Sequence, residues 1–204
     1  MAMAALMVIA PALLAAAPPR LAAGDSAEQR FERVLQGITG GKLPAALDEM
    51  DRLAERYPNW RLAHLVHGDL LQLDRAQSNA IVVDAGRSRV FVYENTGDTP
   101  RLVQDFYTTL GRNGVDKLRE GDRKTPLGVY HVTARIPGRK LPDLYGWGAF
   151  PISYPSEWDR MAGRTGFGIW LHGVPSDTYA RAPWASDGCV ALANTDIAEL
   201  AKRV

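Results

Sequence analysis

The sequence predicts an α+β chain: a mainly β domain of sandwich or flattened-barrel type, preceded by a small helical hairpin. Three observations point there. Apolar residues keep helical spacing up to about residue 73, the pattern then changes from Ala80 to short runs of β-branched and aromatic residues, and Gly/Pro punctuation separates those runs with no long helix between them.

Met1 to Ala17 is almost wholly apolar (MAMAALMVIAPALLAAA) and is followed by Pro18-Pro19-Arg20 and Leu21-Ala22-Ala23-Gly24. Residues 1–24 therefore have the length and texture of a secretory leader with a small-residue cleavage zone, although the basic start is missing, and Pro11 and Pro18 argue against a spanning helix. The expected location is exported, periplasmic or cell-envelope. A buried N-terminal helix is the other reading of the same run.

Residues 27–74 read as helical. Phe31, Val34, Leu35 and Ile38 share one helix face, which Gly40-Gly41 ends. A second helix, from about Pro44 to Arg56, gathers Leu47, Met50, Leu53 and Ala54 on one side. Tyr57-Pro58-Asn59 breaks it, because proline removes a donor and forces the preceding residue out of helical geometry. A third helix, roughly Trp60 to Leu73, carries Ala63, Val66 and Leu70. The last two resemble a single tetratricopeptide-type unit, too few for a solenoid, and read as a cap or as a docking module for a protein partner. His64 and His67 lie three apart on the third helix, but no carboxylate or cysteine completes a ligand set, so no bound metal is expected.

Residues 78–204 form the β domain. Ala80 to Val83 and Arg89 to Tyr93 flank Asp84-Ala85-Gly86-Arg87-Ser88 and predict a hairpin. Further strands are expected at Leu102–Thr109, Val129–Ala134, Gly168–His172 and Cys189–Leu192, with loops at Asn113-Gly114, Pro137-Gly138 and Tyr145-Gly146-Trp147-Gly148. Lys124-Thr125-Pro126 reads as a turn before a strand, and His131 as part of that strand's face. Leu141 to Trp158 reads as an aromatic-rich loop, either a substrate floor or its own packing core. A helix is expected from Thr195 or Asp196, and because Val204 falls within it the chain is expected to continue.

Composition bounds the partners. With 24 basic and 23 acidic side chains the net charge is +1, so neither nucleic acid nor an anionic membrane is an expected partner. Nothing in the sequence suggests a nucleotide, flavin or other cofactor.

The chain has a single cysteine, Cys189, in Ser186-Asp187-Gly188-Cys189, seventeen positions after the histidine of Leu171-His172-Gly173. An exported lone cysteine has no internal disulfide partner, so it is either buried and inert or a free thiol kept for reactivity. A thiol becomes a strong nucleophile only as thiolate, which calls for a base such as a histidine brought alongside by the fold. Gly188 frees the backbone to turn sharply, so that the Gly188 and Cys189 N–H groups converge on a developing oxyanion. Ser186 hydrogen-bonds within the turn or to the base.

This stretch resembles the signature of the L,D-transpeptidase catalytic domain, the YkuD-like family: a His-Gly, a spacer, then Ser-x-Gly-Cys. His172, Gly173, Ser186, Gly188 and Cys189 carry the match, supported upstream by Gly121-Asp122-Arg123-Lys124-Thr125-Pro126-Leu127-Gly128, and it covers roughly residues 78 to 204. The resemblance implies a mostly β catalytic domain with Cys189 as nucleophile, His172 as general base, and the carbonyl of Gly173 orienting the imidazole. It also implies acyl transfer on peptidoglycan stem peptides, in cell wall biogenesis. Water as acceptor would make the protein a carboxypeptidase or amidase, and a degenerate site would leave a wall-binding or docking module. Asp187 stands where a second histidine is usual, and Ala191 where an arginine is common, which places the acceptor specificity in question. Asp187, Arg181, Arg164 and Tyr154 are the further candidates for substrate contact.

Overall fold

The computed structural model describes residues 6–10, 29–31, 33–34, 43–56, 79–95 and 100–204. Among these, helical residues at 29–31 and 33–34 precede helix α1 (Leu43–Arg56), and Arg30 Nε donates to Glu49 Oε1 of α1 at 2.7 Å. Met50 and Leu53 are buried on the face that the apolar spacing picks out. The expected third helix, with His64 and His67, lies outside the described residues.

From residue 79 onward the elements are short. They comprise strands β2 (Ala80–Asp84), β3 (Arg89–Asn95), β4 (Pro100–Tyr107), β5 (Leu110–Gly111), β6 (Gly128–His131), β7 (Ile136–Pro137) and β8 (Gly148–Pro151), then helix α2 (Glu157–Met161). Strands β9 (Trp170–His172), β10 (Trp184–Ser186) and β11 (Val190–Ala191) and helix α3 (Asn194–Leu200) complete the chain. The β2–β3 hairpin forms where alternating β-branched residues meet a four-residue turn, in the register Val83↔Val90 and Asp84↔Arg89. Asp84 Oδ1 accepts the Arg87 N–H at 3.1 Å and closes that turn. All of β2 is buried, whereas β3 alternates, Val90 and Val92 inward and Phe91 half-buried, as a strand with one covered face should.

One strand lies within the segment expected to be a leader. Leu6–Ala10 forms β1, which pairs parallel with β2 (Met7↔Ile81, Ile9↔Val83) and antiparallel with β6 (Met7↔Tyr130), giving the order β4-β3-β2-β1-β6. A short uncharged apolar run satisfies the core of a leader and a strand paired on both edges equally well, so composition does not separate them.

The second sheet has the order β11-β9-β8-β7, and β10 pairs with β5. Between the first and second sheets lies one core of Ile81, Val83, Val90, Phe106, Phe150, Leu171 and Val190, which Ile197 and Leu200 of α3 cap. Two elements correct the loop expectation for 141–158. β8 runs through Gly148–Pro151, and α2 is capped by Ser156, whose hydroxyl accepts the Asp159 N–H while Asp159 accepts the Ser156 N–H. Leu144 and Trp147 are exposed, but Phe150 and Tyr154 are core, so the aromatic cluster divides between surface and packing.

Candidate active site

His172 ends β9 and Cys189 immediately precedes β11. These strands are parallel neighbours with Leu171 opposite Val190 and His172 opposite Ala191. Side chains alternate along a strand, so His172, Ala191 and Cys189 share one face of the pair, with Cys189 diagonal to His172. Seventeen positions of chain are thereby closed into a fixed juxtaposition. Tyr145 lies against it, its ring edge-on to His172 with centroids 5.0 Å apart and tilted on Trp170 at 4.9 Å.

His172 is buried, and its Nδ1 bonds the Gly173 carbonyl at 2.5 Å. A carbonyl only accepts, so Nδ1 carries the hydrogen and Nε2 keeps the lone pair. Burial lowers the imidazole pKa to about 4, against the upward pull of the Gly173 bond, and the charge of Arg181 adds to the lowering. Burial likewise raises the Cys189 thiol; the backbone of Trp170 and the charges of Lys117 and Arg181 pull it down, while Asp187 pushes it up. The resting pair is thus a neutral base and a neutral thiol, with a proton to be moved when an electrophile arrives. Cys189 Sγ approaches the Gly168 carbonyl at 3.4 Å.

The turn that presents the thiol is bonded within itself. Gly188 N–H donates to Ser186 Oγ at 3.1 Å, and Ser186 Oγ donates to the Cys189 carbonyl at 2.6 Å. Ser186 is buried and clamps the turn, so the Gly188 N–H is taken, leaving the Cys189 N–H as this turn's candidate oxyanion donor. Gly188 has φ +125, and a Cβ there would lie 2.8 Å from the Lys124 carbonyl, so glycine is required by both conformation and space.

Three residues outside the expected set brace these groups. Thr125 Oγ1 accepts from Gly111 N–H at 2.9 Å and donates to the Gly188 carbonyl at 3.0 Å, tying β5 to the Ser186–Cys189 turn. Asp122 organises the loop before it. Burial pushes its carboxyl up, but bonds from Arg119 N–H, Lys117 Nζ, Leu118 N–H and Lys124 N–H overcome that and hold it far below the usual range. Asn194, at the start of α3, accepts Trp147 N–H and donates to the Val174 carbonyl, each at 2.8 Å, and a Cβ on Gly173 would lie 2.2 Å from its Oδ1. Sequence offered the GDRKTP block as a hint of the first two and nothing for Asn194, whose partners are distant along the chain.

The remaining candidates separate. Arg181 lies within electrostatic range of both His172 and Cys189. Asp187 is exposed, and its Oδ1 meets Arg112 Nη2 at 3.0 Å and Arg123 Nε at 3.7 Å. Arg164 is instead engaged with Asp116 at 2.9 Å and the buried Asp159 at 3.4 Å. Tyr154 is buried, its hydroxyl donating to the Thr165 carbonyl at 3.1 Å, and burial together with Asp159 pushes its pKa to about 12. Both of these side chains hold the scaffold together.

Residues 78–204 match the family model of the L,D-transpeptidase catalytic domain, YkuD. Among solved structures the chain is similar to Bd1075 of Bdellovibrio bacteriovorus, at 33% identity and a TM-score of 0.52 over 62% of this chain and 44% of that one. It is also similar to the helical cell shape determining protein Pgp2 of Campylobacter jejuni, at 30% identity and a TM-score of 0.55 over 61% of this chain and 43% of that one. The chain thus spans less than half the length of either relative. No curated protein sequence matches it.

Proposed function

The chain belongs to the L,D-transpeptidase catalytic domain family, and from that premise we propose that it is a cysteine acyltransferase acting on peptidoglycan stem peptides in cell wall biogenesis. The observation that carries the reading is the His172 Nδ1 bond to the Gly173 carbonyl, with Cys189 on the same face of the neighbouring strand. That bond aims the imidazole and fixes its tautomer without a third, acidic residue.

In the proposed reaction the Cys189 thiol gives its proton to His172 Nε2 as Sγ bonds to the carbonyl carbon between diaminopimelate and terminal D-alanine. The carbon–nitrogen bond breaks, the imidazolium returns the proton to the departing amine, and a thioester remains. An amine of a second stem peptide, or of a protein, then attacks the thioester, losing a proton to His172, which restores the thiol. Negative charge on the carbonyl oxygen develops beside the Cys189 N–H; losing one such donor typically costs about 3 to 4 kcal/mol of barrier.

Water in place of the amine would make the same site a carboxypeptidase or amidase. Asp187 and Ala191, the two departures from the family pattern, favour keeping this second reading open. Peptidoglycan lies outside the cytoplasm, which accords with export, and the helical segment is the proposed surface for any protein partner. Incubation with a carbapenem should add one adduct mass, absent in Cys189→Ala. Digestion of disaccharide-tetrapeptides should then give crosslinked dimers; tripeptides would favour hydrolysis, and no adduct with no product would favour a wall-binding module.

A further inference from the structure

Asp187 is the residue of the nucleophile turn that the reaction leaves without a task. Its carboxylate points to two guanidiniums from separate segments, Arg112 following β5 and Arg123 in the loop that Asp122 organises, and both reach the same oxygen, Oδ1. The main chain of both arginines is tied down. Arg112 N–H donates to the Ser186 carbonyl at 2.8 Å, and the Arg123 carbonyl accepts Asn113 N–H at 3.2 Å. The side chains of Arg112, Arg123 and Asp187 are 47%, 56% and 70% exposed, so the cluster is open to a ligand from solvent. The cluster carries two positive charges and one negative, two residues from the thiol, and Arg181 adds a further cation within electrostatic range of Cys189.

We propose that Arg112 and Arg123 form a carboxylate-binding subsite for the peptide substrate, with Asp187 acting as an internal anion that competes for it. The proposal rests on the stem-peptide reading and deepens it. A guanidinium fork recognises a carboxylate bidentately, and its planar donors are pre-organised, so less freedom is lost per hydrogen bond formed. Stem peptides carry free carboxylates on both sides of the scissile amide, on the terminal D-alanine and on the second centre of diaminopimelate. Ala191 supplies no guanidinium on the face of the nucleophile, so this pair offers the charge from the turn's other flank. Asp187 sets the affinity: it keeps the two arginines from repelling each other in the empty site and must be displaced, or must share its partners, when a substrate carboxylate arrives.

The sign of the Asp187 effect distinguishes this role from a structural one. Tetrapeptide binding to the Cys189→Ala protein should be measured by calorimetry with three ligands: the free acid, the C-terminal amide, and the peptide amidated on diaminopimelate. Arg112→Gln with Arg123→Gln should weaken the free acid roughly tenfold, and one of the two amides should bind weakly to the parent and be insensitive to the substitutions, which identifies the carboxylate recognised. Asp187→Asn should tighten the free acid severalfold. Circular dichroism and carbapenem acylation of the same substitutions on the Cys189 background report whether the turn survives. The proposal is overturned if both amides bind the parent as well as the acid does, or if Asp187→Asn weakens the acid. Normal acylation with no acid preference removes the subsite alone, whereas an acid preference without any acylation removes the enzyme reading and leaves a peptide-binding site.

Discussion

Thr125 Oγ1 donates to the Gly188 carbonyl at 3.0 Å while accepting the Gly111 N–H at 2.9 Å, so one fully buried hydroxyl ties the nucleophile turn to strand β5. Thr125→Val keeps the shape and removes both bonds, leaving a buried donor and a buried acceptor without partners. The expected loss is about 2 to 4 kcal/mol of stability, at about 1 to 3 kcal/mol per orphaned group before relaxation. Thr125→Ser should restore most of it. Urea unfolding measures the stability, and the carbapenem acylation rate should fall in Val and recover in Ser. Equal melting of parent and Val variant would remove the bridge from the account.

His172 ties stability to pH. Its proton binds near 6.5 in an unfolded chain but only near 4 in the folded one, so between those values the unfolded state holds more protons and stability rises with pH. Acidifying from pH 6.5 to 4 should therefore cost on the order of 3 kcal/mol from this group alone. In His172→Gln that contribution to the slope should vanish in thermal melts across the window. Acylation by a β-lactam should likewise hold its rate down to about pH 4, where the imidazole protonates, rather than losing it at 6 to 7 as an exposed histidine would.

Asn194 joins three segments: the turn at Trp147, the chain after Gly173, and α3. Asn194→Ala should lower kcat of stem-peptide turnover by about ten- to a hundredfold with a smaller change in KM, since the Gly173 carbonyl that aims His172 loses its support. Asn194→Asp keeps the acceptor for Trp147 N–H and loses the donor to Val174, and should fall between. If KM moves and kcat does not, Asn194 contacts substrate instead.

Strand β1 gives a fourth expectation. A chain beginning at residue 25 would leave the facing edges of β2 and β6 unpaired, and such edges invite pairing with other chains. Compared with residues 1–204, that chain should melt lower and elute partly as larger species in size-exclusion chromatography. Identical melting and elution would mean that β1 adds nothing to the sheet, and the mass of the protein recovered from the cell envelope would show whether residues 1–24 are retained.

The hairpin of β2 and β3 and the sharp bend before Cys189 were legible in the sequence because each is written locally. Val82-Val83 and Val90-Phe91-Val92 alternate around a turn, and Gly188 before Cys189 marks a sharp bend. Elements such as β8 were hidden, because Gly146, Gly148 and Pro151 read as punctuation although they bound a strand buried between β7 and β9. The hydrogen bonds inside the Ser186–Cys189 turn were hidden for a related reason. Spacing indicated a turn at Ser186–Cys189, but only three-dimensional placement shows that Ser186 Oγ claims the Gly188 N–H. Tyr154 and Arg164 likewise read as free until Thr165, Asp116 and Asp159 appear beside them.

The pairing of Leu171 with Val190 has a consequence for how such a protein can change. Leu171 and His172 pair with Val190 and Ala191, so residues 173–188, the sixteen between His172 and Cys189, are closed at their base, and doubling the length of a flexible loop costs only about 0.6 kcal/mol. Within it the carbonyls of Arg181, Ala182 and Pro183 accept from Tyr107, Thr109 and Leu110, so insertions at 177–180 can reshape the exposed part of the segment without moving sulfur relative to imidazole. Chemistry and selectivity are mechanically uncoupled, and one can drift under selection while the other stays still.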